Sequence, residues 1–217
     1  MNSKDFEKFL KSKKVNTYYI DKYKSTSSDF VQEQNYLMHP MDVFNKLLKD
    51  RIIILSGEMD DISCEMYKAN LLYLESIDSK KDIKIYISSG GGSVYSGLGV
   101  LDTMEYIKPD IITINTGLAA SMAAVILCSG SKGKRKSLKR SRTMIHQPLG
   151  YLGFAQASDF EIDAKEINSL KKELYEIISQ RTGQNLDKVY KDSDRDYWMN
   201  AEEALKYGMI DEIVKRK

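Results

Sequence analysis

Gly117-Leu118-Ala119-Ala120-Ser121-Met122 sets a hydroxyl among small, apolar neighbours, where one kind of structure gives way to another. Before it, Ile111-Ile112-Thr113-Ile114-Asn115 is a β-branched run that reads as a strand, and Gly117 reads as its breaker. After it, Met122-Ala123-Ala124-Val125-Ile126-Leu127 is apolar all round, as a core helix is. Ser121 therefore stands at a helix N-terminus, where free N–H groups and the helix dipole favour negative charge developing beside its oxygen. Acyl transfer needs such a place. A serine that merely caps the helix fits the same segment.

Histidine is scarce. The chain has His39 and His146 and no other, so a serine nucleophile has two possible imidazole bases. His39 precedes Pro40, which suits a loop. His146 ends the strand-like run Thr143-Met144-Ile145-His146, which Gln147-Pro148 stops, so its imidazole lies at a strand terminus. A third group must orient the base and stabilise its charged form. Asp196, within Ser193-Asp194-Arg195-Asp196-Tyr197-Trp198, is one candidate among many carboxylates, and spacing does not select it.

From Asp42 onward helical and strand patterns alternate: Val43 to Leu48 helical, Ile52 to Leu55 a strand, Ser63 to Ser76 a helix with apolar residues at 66, 71, 72 and 74. Ile83 to Ile87 follows as a strand, Val94 to Ile107 as a helix, and Ile111 to Asn115 as a strand. Such alternation predicts an α/β fold with parallel strands and helical crossovers. A second long helix starts at the capping box Ser158-Asp159-Phe160-Glu161, carries an apolar stripe through Phe160, Ala164, Ile167, Leu170, Leu174 and Ile177/Ile178, and ends at Gly183. Residues 1–36 are rich in Lys, Ser, Asn and Asp without a period and read as a flexible tail; 37–217 read as one domain.

Other function classes find little support. Lys+Arg 33 against Asp+Glu 31 leaves no global field to draw the chain to nucleic acid or membrane. The longest apolar run, around Ala119 to Cys128, is about half a membrane span. The N-terminus carries no apolar signal core, so a soluble, cytoplasmic protein is expected. Cys64 and Cys128 lack metal-ligand spacing and sit in apolar helical contexts, as buried reduced thiols do. Ser89-Gly90-Gly91-Gly92-Ser93 lies where phosphate loops occur, yet no Lys-Ser/Thr follows and Tyr95 fills the last glycine position of G-x-G-x-x-G. Close approach of this backbone to another backbone or to an oxyanion explains the glycines better. The run Lys132 to Arg142 carries seven basic residues and no acid. Without interleaved aromatics it reads as a solvated hairpin rather than a nucleic-acid patch.

The sequence resembles the proteolytic subunit of the Clp protease, a serine peptidase partnered by ATP-driven ring unfoldases. Several blocks carry the resemblance from Met41 to Val214, among them Leu47-Leu48-Lys49-Asp50-Arg51-Ile52-Ile53, the glycine block ending at Gly92, Ala119-Ala120-Ser121-Met122, Met144 to Gly150, and Asp194-Arg195-Asp196. It implies a crotonase-like ββα superhelix with a protruding strand-helix handle over 150–182, and an N-terminal tail serving as axial loop and propeptide. Carried over by position, it implies Ser121 as nucleophile, His146 as base, Asp196 as orienting carboxylate, and the N–H groups of Gly92 and Met122 as oxyanion hole. Substrate would lie as an added strand beside Gly91 and Ser93, near Leu149. Tyr86, Tyr106 and Val214 would line the cleft that receives the unfoldase, and Asp194 and Arg195 would join two stacked heptameric rings. The chain itself would need no metal or cofactor, ATP being used by the unfoldase.

The sequence departs from the family at Gly90 and Lys139, where proline is usual, and at Lys84, where an aromatic residue is common. From His146 to Asp196 it is also one residue longer, the addition falling in Tyr151 to Ala157 and implying a bulge before Ala155. Two alternatives share part of the pattern. A crotonase-fold coenzyme A thioester enzyme would not need the Ser121, His146 and Asp196 set, and a weakly catalytic subunit of a mixed ring would be expected to have lost part of it.

Overall fold

The computed structural model describes residues 40–150, 153 and 156–215. The expected tail, 1–36, lies outside them, as does the site of the expected bulge around Ala155. The elements run α1 (Pro40–Lys49), β1 (Ile52–Met59), α2 (Asp61–Ile77), β2 (Ile83–Gly92), α3 (Val94–Tyr106), β3 (Ile111–Ala120) and α4 (Met122–Cys128). Then come β4 (Arg135–Leu138), β5 (Arg142–Ile145), α5 (Ala157–Thr182), α6 (Leu186–Asp192), β6 (Tyr197–Asn200), α7 (Ala201–Tyr207) and β7 (Glu212–Val214).

The expected α/β alternation holds. One path of the sheet is β1-β2-β3-β4-β7, all parallel. Ile83, Ile85 and Ile87 of β2 point inward and are buried, with Lys84 and Tyr86 between them on the other face. Every residue of α4 is buried, which its uniformly apolar sequence required.

Strand β3 differs from expectation because it serves two neighbours. Thr113 to Asn115 pair with β4, and Leu118 to Ala120 pair with β5. Gly117 therefore does not end the strand. Asn115, fully buried, manages the fork: its side chain accepts from the Gly117 N–H at 3.1 Å and donates to the Arg142 carbonyl at 2.8 Å. For the same reason Lys132 to Arg142 is not a hairpin. Strands β4 and β5 both add to β3, in parallel and at different halves, rather than to each other.

Three of the seven basic side chains in the run are paired with carboxylates. Lys134 bridges Asp82 at 2.6 Å and Asp110 at 2.9 Å, Arg135 is buried on Asp211 at 2.5 Å, and Lys136 meets Glu212 at 2.6 Å. Paired so, these side chains are not offered to a phosphate backbone.

One further expectation is corrected. Helix α5 begins at Ala157 with Gln156 as its N-cap, two residues before the expected cap Ser158, and Asp159, not Glu161, accepts the capping N–H, from Gln156 at 3.1 Å. The short carboxylate lies three residues after Gln156, so the serine is left inside the first turn. Leu72 is 37% exposed, whereas Met66, Leu71 and Leu74 are buried on the same helix. Gly183 does end α5, in the left-handed conformation at φ 73°. The handle stripe is packed only in its second half: Leu170, Leu174 and Ile178 are buried, with Tyr175 beside them, while Phe160 and Ala164 are exposed, as is Ile162 off the stripe. Both cysteines are buried free thiols, pushed up to about 11 chiefly by burial.

Candidate active site

Strand pairing alone brings three distant residues together. Strands β3 and β5 run parallel to the pair Ala120–Met144, and the next residue, Ser121, donates its N–H to the Met144 carbonyl at 2.9 Å. Strands β5 and β6 are antiparallel with Ile145 opposite Tyr197. One step further along that register sets His146 opposite Asp196. The carboxylate that spacing left open is thus chosen by a long-range register.

The side chains complete the alignment. His146 Nε2 lies 2.8 Å from Ser121 Oγ, and His146 Nδ1 lies 3.2 Å from Asp196 Oδ1. An ionised carboxylate only accepts, so Nδ1 carries the hydrogen and Nε2 is left to accept the Ser121 hydroxyl. The imidazole is 16% exposed and the carboxylate 58% exposed, so one end of the line is enclosed and the other wet.

Ser121 does not cap its helix: it holds the N-cap position of α4 with no side-chain cap bond. Its backbone sits at φ 55°, ψ −127°, a conformation that costs a non-glycine residue about 1–3 kcal/mol. The strand-to-helix turn aims the hydroxyl at the imidazole instead of at the helix amides.

The glycine block abuts this turn. A Cβ on Gly91 (φ +93°) would fall 2.7 Å from both Ala120 O and Ser121 Cβ, and 2.9 Å from Met122 N. A Cβ on Gly92 (φ +152°) would strike the Met59 backbone. Close backbone approach, not phosphate binding, is what the glycines serve. The Gly91 N–H donates to Ser89 Oγ at 3.1 Å, and the Ser93 N–H to Met59 O at 2.8 Å on the β1 side. Gly90 has open space around it and no left-handed φ, so the lost proline leaves no gap in the contacts of Gly91 or Gly92.

Sequence reasoning missed two supporting residues. Gln147 follows the imidazole and ties both flanks of the site: Nε2 donates to the Asp194 carbonyl at 2.8 Å, and Oε1 accepts from Lys171 of α5 at 3.2 Å. No local pattern marks it. Ser89 continues the inward alternation Ile83-Ile85-Ile87, is 1% exposed, and donates to the Gly57 carbonyl at 2.5 Å. A hydroxyl on the buried phase of a strand was a readable signal.

The remaining expected residues are less gathered. Leu149 is 83% exposed. By register, Tyr86 and Val214 share the sheet face opposite Ile85, whereas Tyr106, at the end of α3, belongs to the helical layer. Asp194 and Arg195 are exposed just ahead of β6. Among the described residues no helix is long and apolar enough to cross a membrane, and no cluster of His, Cys, Asp and Glu could hold a metal.

A hydroxyl, an imidazole and a carboxylate in line on an α/β sheet, beside a glycine-built turn, are the equipment of a serine peptidase. Comparison with known proteins makes the family plain: the Clp protease model matches residues 34–217, and the chain belongs to that family of serine peptidases with the crotonase-like fold. An ATP-dependent Clp protease proteolytic subunit of Bacteroides fragilis is 55% identical over 187 residues, covering 86% of this chain and 90% of its own length. One of the same name from Porphyromonas gingivalis is 52% identical over 207 residues, 93% of each chain. A third, from Bacteroides thetaiotaomicron, is 54% identical over 187 residues. A peptidase of this family works without a cofactor of its own, and the fold-sharing coenzyme A reading falls away.

Proposed function

We propose that Ser121 is the nucleophile, His146 its base and Asp196 the carboxylate that orients the base, in a peptidase that cuts unfolded polypeptides. The observation that carries this is the unbroken line Ser121 Oγ, His146 Nε2, His146 Nδ1, Asp196 Oδ1, at 2.8 and 3.2 Å. His146 takes the hydroxyl proton as Ser121 attacks the peptide carbonyl, returns it to the leaving amine, and then activates water to hydrolyse the acyl-enzyme. The Gly92 and Met122 N–H groups receive the oxyanion. Substrate lies extended along the Gly91–Ser93 edge, near Leu149. Since the Gly91 and Ser93 amides are engaged internally and the Gly92 amide faces the oxyanion, main-chain pairing there falls to carbonyl acceptors.

Enclosure supplies selectivity. Two heptameric rings stack through the handle and through Asp194 and Arg195, and the outward Phe160 and Ile162 are the apolar surface such stacking would cover. An ATP-driven unfoldase docks on a cleft between neighbouring subunits, Tyr86 and Val214 from one and Tyr106 from the other. The later part of the tail 1–36 gates the axial pore, its first residues form a propeptide, and the complex works in the cytoplasm. The relatives' printed names, with ATP dependence and a proteolytic subunit in them, support this reading.

Hydrolysis of a fluorogenic short peptide tests it. Ser121→Ala and His146→Ala are each expected to lose activity by orders of magnitude, and the double variant to lose no more. Assembly is expected to persist in all three. Substantial turnover by either purified single variant would overturn the assignment.

A further inference from the structure

Between the glycine block and helix α2 runs a chain of hydroxyls that the reaction as described does not use. Ser96 Oγ donates to Asp61 Oδ1 at 2.5 Å, Ser96 Oγ and Ser93 Oγ are 2.9 Å apart, and the Ser96 N–H donates to Ser93 Oγ at 3.3 Å. The proton order follows from counting hydrogens. Asp61 as a carboxylate only accepts, so the single Ser96 hydroxyl hydrogen is spent on it. The Ser93 hydroxyl must then donate to Ser96 Oγ, while its lone pair accepts the Ser96 N–H and caps α3. One charged group thereby fixes the rotamers of two serines.

Position gives the relay its consequence. Ser93 directly follows Gly92, and its N–H is anchored to the Met59 carbonyl at 2.8 Å. Gly92 sits at φ +152° between the buried Ser89–Gly91 contact and Ser93, the N-cap of α3. With glycine at 90, 91 and 92, the chain's own φ/ψ preferences do little to fix the Gly92 amide plane. Alongside its pairing with Met59 of β1, its orientation is constrained from the two ends, by Ser89 on one side and by the Ser93 cap on the other.

We infer that Asp61, acting through Ser96 and Ser93, is a positioning residue that fixes the Gly92 N–H for the oxyanion. Asp61 touches no substrate. The inference rests on Ser121 as nucleophile and Gly92 as oxyanion donor. Its expected size is bounded above by outright loss of one oxyanion donor, about 10²–10³ in kcat. A donor misaligned but still present should cost less, about 10-fold.

The test uses the assembled protein with a fluorogenic peptide amide and a peptide boronic acid, whose tetrahedral adduct places an oxygen in the oxyanion site. Ser96→Ala is expected to lower kcat about 10-fold at unchanged KM, and to weaken boronate binding in the same ratio. Asp61→Asn, which can still accept but carries no charge, should fall in the same direction by less. Ser96→Thr, which keeps the hydroxyl, should restore kcat and boronate affinity. Parent-like kcat and boronate affinity in Ser96→Ala overturn the inference. So does a loss that tracks melting temperature and assembly and is not rescued by threonine, since that marks a merely structural contact. If the unmutated protein itself shows no turnover and no boronate adduct, the nucleophile assignment fails first; an active parent with an indifferent Ser96→Ala refutes the relay alone.

Discussion

Gly91→Ala puts the geometry of the site under direct strain. The added Cβ would fall 2.7 Å from Ala120 O and from Ser121 Cβ, where ordinary contact begins near 3.4 Å. Both neighbours are fixed to the backbone, so neither can rotate away. The turn carrying Ser121 must part from the glycine strand by roughly 0.7 Å, an overpacking that costs about 1–3 kcal/mol. Holding alanine at φ +93° adds about 1–2 kcal/mol. For a chain of this size each kcal/mol lowers Tm by about 2–4 °C, so a fall of roughly 4–20 °C is expected. Displacing Ser121 from His146 by part of an ångström should also slow fluorophosphonate labelling by about 10- to 100-fold. Gly90→Ala is the control: with open space and no left-handed φ, it should be neutral or raise stability by about 0.4–1 kcal/mol. Thermal melts and second-order labelling rates of the two variants decide the matter. A Gly91→Ala protein that melts and labels like its parent would refute the close packing of these segments.

Three further outcomes are expected. Ser121→Gly should melt higher than the equally inactive Ser121→Ala, because glycine accepts φ 55°, ψ −127° without the penalty of about 1–3 kcal/mol; equal melting temperatures would remove the claim of strain. Burial by itself would raise the Asp211 carboxyl, but hydrogen bonds from the Arg135 side chain and backbone hold it below the usual carboxylate range. A depressed folded value stabilises the protein above the unfolded carboxylate range, and the stabilisation is lost as pH falls through the folded value. Asp211→Asn should therefore flatten the acid limb of the stability curve and cost about 3–5 kcal/mol at neutral pH by stranding Arg135; an unchanged limb in urea titrations would contradict this. The one-residue addition in the handle should leave a double ring that parts more readily in salt. Sedimentation across a salt series checks this, and full association at high salt and low concentration would rule it out.

Much of the site was legible where chemistry is local. A β-branched run, small residues, a serine and a uniformly apolar helix suffice to place Ser121 at a strand-to-helix junction, and the scarcity of histidine narrows its base to two. Asp196 was not legible from spacing, because its selection depends on the antiparallel register of β5 with β6, settled by pairing across more than fifty residues of chain. The fork in β3 was hidden for a like reason: Gly117 looks like a breaker until Asn115 and β5 supply its partners. Lys132 to Arg142 looked like a hairpin because nearness in sequence suggests pairing, whereas β3 offered each strand a separate edge. The start of α5 was misjudged on a local choice between two capping carboxylates, Asp159 and Glu161. Sequence alone ranks these poorly.

The central claim is that Ser121 is the hydroxyl His146 activates, and covalent capture tests it most directly. Intact-mass measurement after fluorophosphonate treatment is expected to show one adduct per chain, fragmentation to place it on Ser121, and His146→Ala to abolish it. An adduct at another residue, or a fully active peptidase that takes no label, would contradict the account.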